Sequence, residues 1–193
     1  MTVATALSRI SEIETALNPP QPAASTESAG GSRFARVLGQ SAVAGATPAG
    51  SRAVMAARGE IGQAEQPPGS NDSPRIAQYR STVAGAGVGP WCADFVSWAS
   101  RQGGFPLGDH GEGFQSVSAL YEWAQHSGRA ISASAGPPQA GDLIVWGGEH
   151  VGIVESVDAD GTIHTIEGNS SDQVSQRSYG PDGGGASGYV RLG

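Results

Sequence analysis

The chain contains a single cysteine, Cys92, in the segment GPWCADFVSW at residues 89–98. Pro90 and the spacing of the apolar residues after it predict a helix that begins at Pro90, with Cys92 in its first turn. A cysteine attacks as the thiolate, and the first turn of a helix favours an anion through its partial positive charge and free N–H groups. The same N–H groups are suited to stabilising an oxyanion. The segment therefore makes Cys92 a candidate nucleophile, although position alone favours the alternative that it is a small buried apolar residue, as most free cysteines are.

A catalytic thiol needs a histidine base, and the chain contains four histidines. His110 lies in a glycine-rich loop, and His126 lies near a predicted helix end, where a solvated or capping role is expected. His150 and His164 lie in two predicted strands, which the turn sequence DADG at residues 158–161 joins into a hairpin. The faces of this hairpin decide which of the two can serve as the base.

A two-residue turn in the hairpin puts His150 on the same face as Glu167 and Asn169. His164 then falls on the opposite face, where a core or edge position is the default. One choice of turn, at residues 159–160, sets His150 directly opposite Asn169 and diagonal to Glu167, within reach of side chains. The other choice of turn shifts the pairing of the strands by two residues but leaves His150 on the same face as Glu167 and Asn169. A three-residue turn would move His150 to the opposite face from them.

A carboxylate or amide that bonds one nitrogen of an imidazole fixes its tautomer and leaves the other nitrogen to face the thiol. The sequence therefore predicts that Cys92, His150 and one of the polar pair Glu167 and Asn169 converge. The alternative is that Glu167 and Asn169 are only polar groups at the edge of a turn.

Two tryptophans and two aspartates near these positions are further candidates. Trp91 and Trp146 are candidates for lining a substrate groove, with buried packing as the alternative for each. Asp158 and Asp160 have a spacing that suggests calcium, but the remaining oxygen ligands of a loop site are missing. The sequence therefore predicts a plain hairpin turn there, no metal and no cofactor.

The elements that must position these residues change type along the chain. Helix patterns come first, and from residue 142 onward the segments are short, rich in β-branched residues and separated by Gly, Asp or Pro. Helices followed by an antiparallel sheet predict an α+β domain, with the helices packed on a small sheet. The predicted helices are SRAVMAARGEIG, SPRIAQYRSTVAG with Ser73 as its cap, a helix from Pro90 to Gly103-Gly104 and one from Ser116 to Gln125; the predicted strands are DLIVWG, HVGIVESV, GTIHTIEG, DQVSQRSY and GYVRL.

The first 50 residues differ in composition from the rest. An amphipathic pattern at residues 1–17 predicts a short helix, and residues 18–50, rich in Ala, Ser, Gly and Pro, predict a disordered linker. The patch RFARVL at residues 33–38 is either a short docking segment or a stray apolar cluster. The chain is therefore predicted to divide into a leader at 1–50 and a folded domain at 51–193.

Composition and charge argue against several classes of protein. The net charge of −7, with only 11 Lys and Arg, argues against a nucleic-acid partner. A single cysteine excludes an internal disulfide and a zinc site with several cysteines. No apolar run approaches the roughly 20 residues of a membrane span. The N-terminus lacks the basic and apolar regions of a Sec signal peptide, so we expect a cytoplasmic protein until it leaves by another route.

Three motifs, in this order, resemble the CHAP family, the cysteine, histidine-dependent amidohydrolases/peptidases. They are PWCADFVSW, then PPQAGDLIVW with its Pro-x-x-Gly-Asp before a strand, then EHVGIVESV before EGN. The resemblance runs from about residue 53 to the end, and EIGQAEQPPGSNDSPRIAQY is similar to the segment before the nucleophile in one branch. Many members have Gly before the histidine where this chain has Glu149, which is expected to alter the field at His150 without preventing catalysis.

The resemblance implies a papain-like α+β fold and cleavage of amide bonds in bacterial peptidoglycan. Carried over to this sequence, it implies that Cys92 is the nucleophile and His150 the general base and acid. It also implies that Glu167 is the orienting third residue and Asn169 a fourth polar member. The expected partner is the stem or cross-bridge peptide of the wall, which an acidic domain would recognise through local contacts and not through bulk attraction.

Residues 1–50 resemble the leaders of flagellum-associated wall hydrolases in their short helix, Ala-rich tail and F-A-x-x-L patch. This implies export through a flagellar secretion channel, contact with a secretion-apparatus or rod protein, and action at the cell wall during assembly of an appendage. The alternatives are a phage-derived lysin or tail hydrolase, a non-catalytic module that binds wall peptide or acts as a rod or tail scaffold, and an intracellular thiol enzyme such as a deubiquitinase-like peptidase or a transglutaminase.

Overall fold

The structure is a computed structural model that describes residues 45–193. The predicted leader helix, the RFARVL patch and most of the predicted linker lie outside the described residues. Within them, the first helix begins at Pro48, slightly before the boundary predicted at residue 51. Thr47 caps this helix, and its hydroxyl also donates to the carbonyl of Leu192. The beginning of the described chain is thus tied to its end.

Residues 45–193 contain four α-helices, each of which overlaps a helix that the sequence predicts. Ser73 and Ser116 cap the second and the fourth through their side chains. The third begins at Cys92 and not at Pro90, and its cap residue, Trp91, makes no side-chain capping hydrogen bond. No helix of residues 45–193 is long and apolar enough to cross a membrane. The helices are α1 (Pro48–Arg58), α2 (Pro74–Arg80), α3 (Cys92–Gln102) and α4 (Val117–His126).

In the described part of the chain, six strands follow the helices and form one antiparallel sheet. They are β1 (Ala130–Ser132), β2 (Leu143–Trp146), β3 (His150–Val157), β4 (Ile163–Glu167), β5 (Ser175–Tyr179) and β6 (Gly188–Val190). Their order across the sheet is β1-β6-β2-β3-β4-β5, and every neighbouring pair is antiparallel. The sequence did not predict β1 or the short 3-10 helix Ala133–Ala135 that follows it. The predicted α+β fold is confirmed.

A large apolar cluster packs on one face of the sheet and a small apolar cluster on the other. Side chains alternate along each strand, so Leu143 and Ile153 join the main core with Phe95 of α3, whereas Ile144 and Val154 belong to a smaller cluster on the other side. Burying each of these large side chains contributes about 1.5–3 kcal/mol. The main core fixes α3 against the sheet, and the smaller cluster occupies the face that also carries His150.

The Pro-x-x-Gly-Asp motif before β2 is an anchor between the two halves of the domain. Gly141 has a φ of +86°, and a Cβ at this position would lie 2.4 Å from the Cα of Gly50 in α1, so only glycine permits this approach. The buried carboxylate of Asp142 accepts two hydrogen bonds from Arg191, at 3.0 and 2.9 Å. It also accepts one from the backbone N–H of Gln139 at 2.8 Å. The motif therefore ties α1 and the end of the chain to the sheet.

The β3–β4 hairpin reaches the predicted register by a different route from the one predicted. Residues 158–162 connect the strands, so the two-residue turn is wrong. An odd-numbered connection reverses the faces, but a bulge between Val154 and Ser156 adds one residue to β3 and reverses them again. Val154 therefore pairs with Thr165, as a turn at 159–160 requires.

Candidate active site

Helix α3 presents Cys92 at its N-terminus. Cys92 is the first helical residue and is 3% exposed. The N–H groups of the first turn have no acceptors within a helix, and no side chain of the cap residue Trp91 takes one up, in contrast to Thr47, Ser73 and Ser116 at the other helices. The sulfur thus lies beside backbone donors that are free to bind an anion.

Gly168 allows the end of β4 to approach this first turn closely. A Cβ at this position would lie 2.6 Å from the Cβ of Phe95 and 2.9 Å from the ring of Trp91. Any other residue would push the strand away from the helix, because both neighbours are packed in the core. Gly168 therefore sets how close the start of α3 lies to His150 and Glu167 on the sheet.

His150 and Glu167 face each other across the hairpin. The Nε2 atom of His150 lies 2.9 Å from Oε2 of Glu167. The other carboxylate oxygen, Oε1, accepts hydrogen bonds from the hydroxyl of Thr165 at 2.6 Å and from that of Tyr179 at 2.9 Å. Because Nε2 is bonded to Glu167, Nδ1 is the ring nitrogen left for Cys92. The carboxylate is fixed from both sides and in turn fixes the imidazole.

Gly152 leaves the space that the Glu167 side chain occupies. It lies between His150 and Val154 on the same face of β3, and a Cβ there would come within 2.7 Å of the Cγ of Glu167. A larger residue at this position would displace the carboxylate from the imidazole. The glycine in EHVGIV is therefore part of the geometry of the site.

Trp146 covers one side of the imidazole. It is the β2 partner of His150 in the sheet, and the two rings stack with centroids 5.5 Å apart at 27°. Its indole N–H donates to the carbonyl of Gly183 at 2.8 Å, and its ring also contacts that of Tyr179. Trp146 is half-buried, so part of the indole faces solvent beside His150.

The pKa values of His150 and Glu167 are both shifted towards the charged form of the side chain. Burial lowers the pKa of His150, but hydrogen bonds with Cys92 and Glu167 outweigh it and raise the pKa to about 9. Burial raises the pKa of Glu167, but hydrogen bonds from His150, Thr165 and Tyr179 outweigh it and hold the pKa below its usual value. Glu167 therefore favours the protonated form of the His150 ring that it holds.

Two of the predicted site residues lie outside this arrangement. Asn169 lies just beyond β4 with a φ of +56°. Within residues 45–193, its side chain has no hydrogen-bond partner. Trp91 is fully buried, and its indole N–H donates to Glu65 at 2.9 Å. The packing alternative for Trp91 is therefore correct, and a groove-lining role is wrong, because no part of its ring reaches the surface.

An open cleft of about 440 Å³ gives access to the thiol. Cys92 lies among its lining residues, and the walls are formed by residues 88–90, 115–117 and 148–149. Gln115 joins two of these walls, because its side chain bonds the backbone of Gly87 in both directions and also bonds Asp94 of α3. An extended peptide laid in the cleft would bring a carbonyl to Cys92.

Sequence reasoning did not identify the groups that hold Glu167 in place. Thr165, Gly152 and Gly168 had no predicted role. Tyr179 lies on β5, and its contact with Glu167 follows from the tertiary pairing of β4 and β5. Alternation along the hairpin could have indicated Gly152 and Thr165, but no local pattern indicates Tyr179.

The aspartates of the DADG turn have structural partners. Asp160 accepts from the backbone N–H of Thr162 at 2.9 Å, and Asp158 lies 2.8 Å from Nε2 of His164. No group of three or more His, Cys, Asp or Glu that could hold a metal ion is found in the part of the chain that the structure describes.

Comparison with known proteins agrees with the motifs. A family model described as CHAP domain matches residues 84–169. This range contains Cys92, His150, Glu167 and Asn169, and it is shorter than the span over which the motifs resemble the family. The search of curated proteins finds no match. The predicted relationship to the CHAP family is confirmed.

Proposed function

Since residues 84–169 belong to the CHAP domain family, whose members hydrolyse amide bonds of peptidoglycan, we propose that Cys92, His150 and Glu167 cleave such a bond by a thiol mechanism. One observation carries the proposal. Nε2 of His150 is hydrogen-bonded to a buried carboxylate, which leaves Nδ1 for the thiol, and Cys92 and Glu167 together raise the pKa of the imidazole. This is the arrangement that activates a cysteine nucleophile.

In the first half of the reaction, the thiolate of Cys92 attacks the carbonyl carbon of the scissile amide and forms a C–S bond. The carbonyl oxygen becomes an oxyanion, which the free N–H groups at the start of α3 stabilise. The His150 imidazolium gives its proton to the nitrogen of the amide, the C–N bond breaks, and the amine leaves. An acyl-enzyme thioester and a neutral imidazole remain.

In the second half, the neutral His150 takes a proton from water, and the hydroxide attacks the thioester carbonyl. The C–S bond breaks, the acid product leaves, and the thiolate–imidazolium pair is restored. Glu167 remains ionised throughout. It accepts the Nε2–H bond, so that Nδ1 points to the sulfur, and it stabilises the positive charge that His150 carries.

The bond that is cut is either the lactyl–L-Ala amide or a peptide bond of the stem or cross-bridge. Both are amides that an extended strand can present to an open cleft, and the mechanism is the same for each. Trp146, half-buried beside His150, is a candidate for contact with the bound strand. We propose the cell wall as the place of action because the substrate is there. Export by a route other than Sec and a role in appendage assembly, such as that of a flagellum, stay predictions based on residues 1–50.

Digestion of purified sacculi tests the proposal. The wild-type protein is expected to release soluble fragments, and Cys92→Ala is expected to release none above background. A new free amine on L-alanine, found by mass analysis, identifies an amidase, whereas a new amine on another residue identifies an endopeptidase.

Two outcomes would contradict the proposal. Equal release by wild type and Cys92→Ala would mean that the thiol is not the nucleophile. Binding of both proteins to sacculi without release by either would favour the alternative of a non-catalytic wall-binding module. Circular dichroism of Cys92→Ala serves as the folding control, because a Cys to Ala change leaves only a small void at this largely buried position.

A further inference from the structure

The cleft over Cys92 contains one charged group whose position suggests a role in substrate choice. Among the residues that line it, Glu149 alone carries a carboxylate or a cation. The others, apart from the thiol, are apolar, hydroxyl or amide residues. We propose that Glu149 selects substrates with a primary ammonium close to the scissile amide, such as a stem peptide whose diamino acid is not cross-linked. This inference rests on the proposed function and adds a specificity to it.

The carboxylate of Glu149 is not used by the protein itself. The residue is exposed, and among residues 45–193 its only hydrogen bond is the one that its backbone N–H donates to the carbonyl of Trp146, at 3.2 Å. It forms no ion pair with any described residue. The groups that raise the pKa of His150 are Cys92 and Glu167, and Glu149 is not among them. The charge is therefore available to a ligand.

The backbone before Glu149 is held in place, although the side chain is exposed. The N–H of Gly147 donates to the hydroxyl of Ser187 at 2.8 Å. Gly148 lies against the start of α4, where an added Cβ would come within 2.3 Å of the Ser118 hydroxyl oxygen. The residue after Glu149 is His150 itself. The carboxylate therefore extends from a fixed point next to the reacting atoms, and its reach defines where a cationic group of the substrate would lie.

An ammonium is the group that this position would recognise. An anion would be repelled by the carboxylate, and an uncharged peptide would leave it with water alone. A cross-linked diamino acid has lost its ammonium, because that nitrogen has become an amide. The ion pair would also give an acidic domain a local attraction to a wall that is itself largely anionic.

Paired substrates test the inference. Soluble muropeptides that are not cross-linked are divided into two samples, and one sample is treated with acetic anhydride to convert the free amine into an amide. The wild-type kcat/KM is expected to be about threefold to fivefold higher for the free amine, as for an ion pair that remains partly exposed. The ratio should fall towards one in 0.5 M salt because of screening.

Three variants sharpen the result. Glu149→Gln should bring the ratio close to one, and Glu149→Lys should invert it. Glu122→Gln, a change to an exposed carboxylate on α4 that does not line this cleft, should keep the wild-type ratio. A thermal melt of each variant shows whether it is folded.

The outcomes separate this inference from the proposed function. Cleavage by wild type with a ratio near one, or a ratio that Glu149→Gln leaves unchanged, overturns the inference and leaves the thiol mechanism intact. Cleavage of neither sample by wild type, when sacculi are also not digested, overturns the proposed function and this inference with it.

Discussion

The β3–β4 hairpin carries two histidines that have nearly the same partners and very different surroundings. His150 lies 2.9 Å from Glu167, and Cys92 and Glu167 together raise its pKa. His164 lies 2.8 Å from Asp158, and its other nitrogen lies 2.9 Å from the hydroxyl of Ser178. By residue type, the second set is an acid–histidine–serine triad, and its acid–histidine distance is as short as that of the first.

The two sets differ in burial and in what lies next to the nucleophile. The side chains of Glu167 and Asp158 are 2% and 56% exposed, respectively. Glu167 receives two further hydroxyl donors, whereas water competes for the oxygens of Asp158. Cys92 stands at a helix N-terminus within a cleft, whereas Ser178 lies exposed on the edge strand β5.

This difference shows that three residue types at bonding distance do not make a catalytic site. Charge stabilisation needs a carboxylate removed from water, and the oxyanion needs donors already in place. Only the set around His150 has both. The predictions that follow use the set around His164 as the matched control within the same hairpin.

The largest effect is expected from the nucleophiles. Cys92→Ala removes the only thiol, so kcat/KM for amide cleavage should fall by at least about 10³-fold, because the covalent route is lost. Ser178→Ala should leave kcat/KM within about twofold of wild type. Both are measured with the same soluble muropeptide. A comparable loss in Ser178→Ala would mean that the two sets are not distinct.

The next largest effect is expected from the carboxylates. Glu167→Gln keeps the shape of the side chain but removes the charge that stabilises the His150 imidazolium. A hydrogen bond to a charged group is worth about 1.5–3 kcal/mol, so kcat/KM should fall about 10- to 100-fold. Asp158→Asn, the same chemical change at His164, should have no measurable effect on the same assay. Equal effects of the two changes would contradict the importance of burial.

The pH dependence of activity should report the raised pKa of His150. Since that pKa is about 9, the imidazolium that protonates the leaving amine persists through neutral pH, and kcat/KM should decline as the pH rises through about 9. In Glu167→Gln the decline should begin at lower pH, because the negative charge that helps to raise the pKa of His150 is lost. His164→Ala should leave the profile unchanged. A decline near pH 6.5 in wild type would not agree with the geometry.

The smallest effect is expected from the hydroxyl of Tyr179. Tyr179→Phe removes one of the two hydroxyl donors to Oε1 of Glu167 but keeps the ring that packs on Trp146. The loss of about 1 kcal/mol from one partly exposed hydrogen bond corresponds to roughly fivefold in kcat/KM. Rates for Tyr179→Phe and wild type that agree within error would limit the role of Tyr179 to packing.

The sequence predicted the order and type of most elements and the face that His150 shares with Glu167. It did so although the predicted turn was wrong, because the bulge after Val154 compensates for the odd length of the connection at 158–162. Alternation in strands is a strong local signal, since it is set by which side chains are buried.

The parts of the site that the sequence could not predict depend on contacts between distant segments. Tyr179 reaches Glu167 only because β5 pairs with β4, and the choice of Glu167 over Asn169 depends on where the backbone turns after β4. Trp91 lies next to the nucleophile in sequence but is fully buried, with its indole N–H donating to Glu65 and its ring close to Gly168. The sequence shows which residues are adjacent to Cys92 along the chain, but which of them face the cleft depends on how they are buried in the folded domain.

The state of the His150 ring tests the central claim most directly. Histidine side-chain NMR of ¹⁵N-labelled protein follows all four imidazoles in one titration, so that His164 provides the comparison in the same sample. We predict that His150 titrates at about pH 9 in wild type and that its pKa falls in Cys92→Ala, because Cys92 contributes to raising it. Titration of His150 near 6.5 in both proteins would show that the sulfur and the imidazole do not form a pair, and would contradict the account.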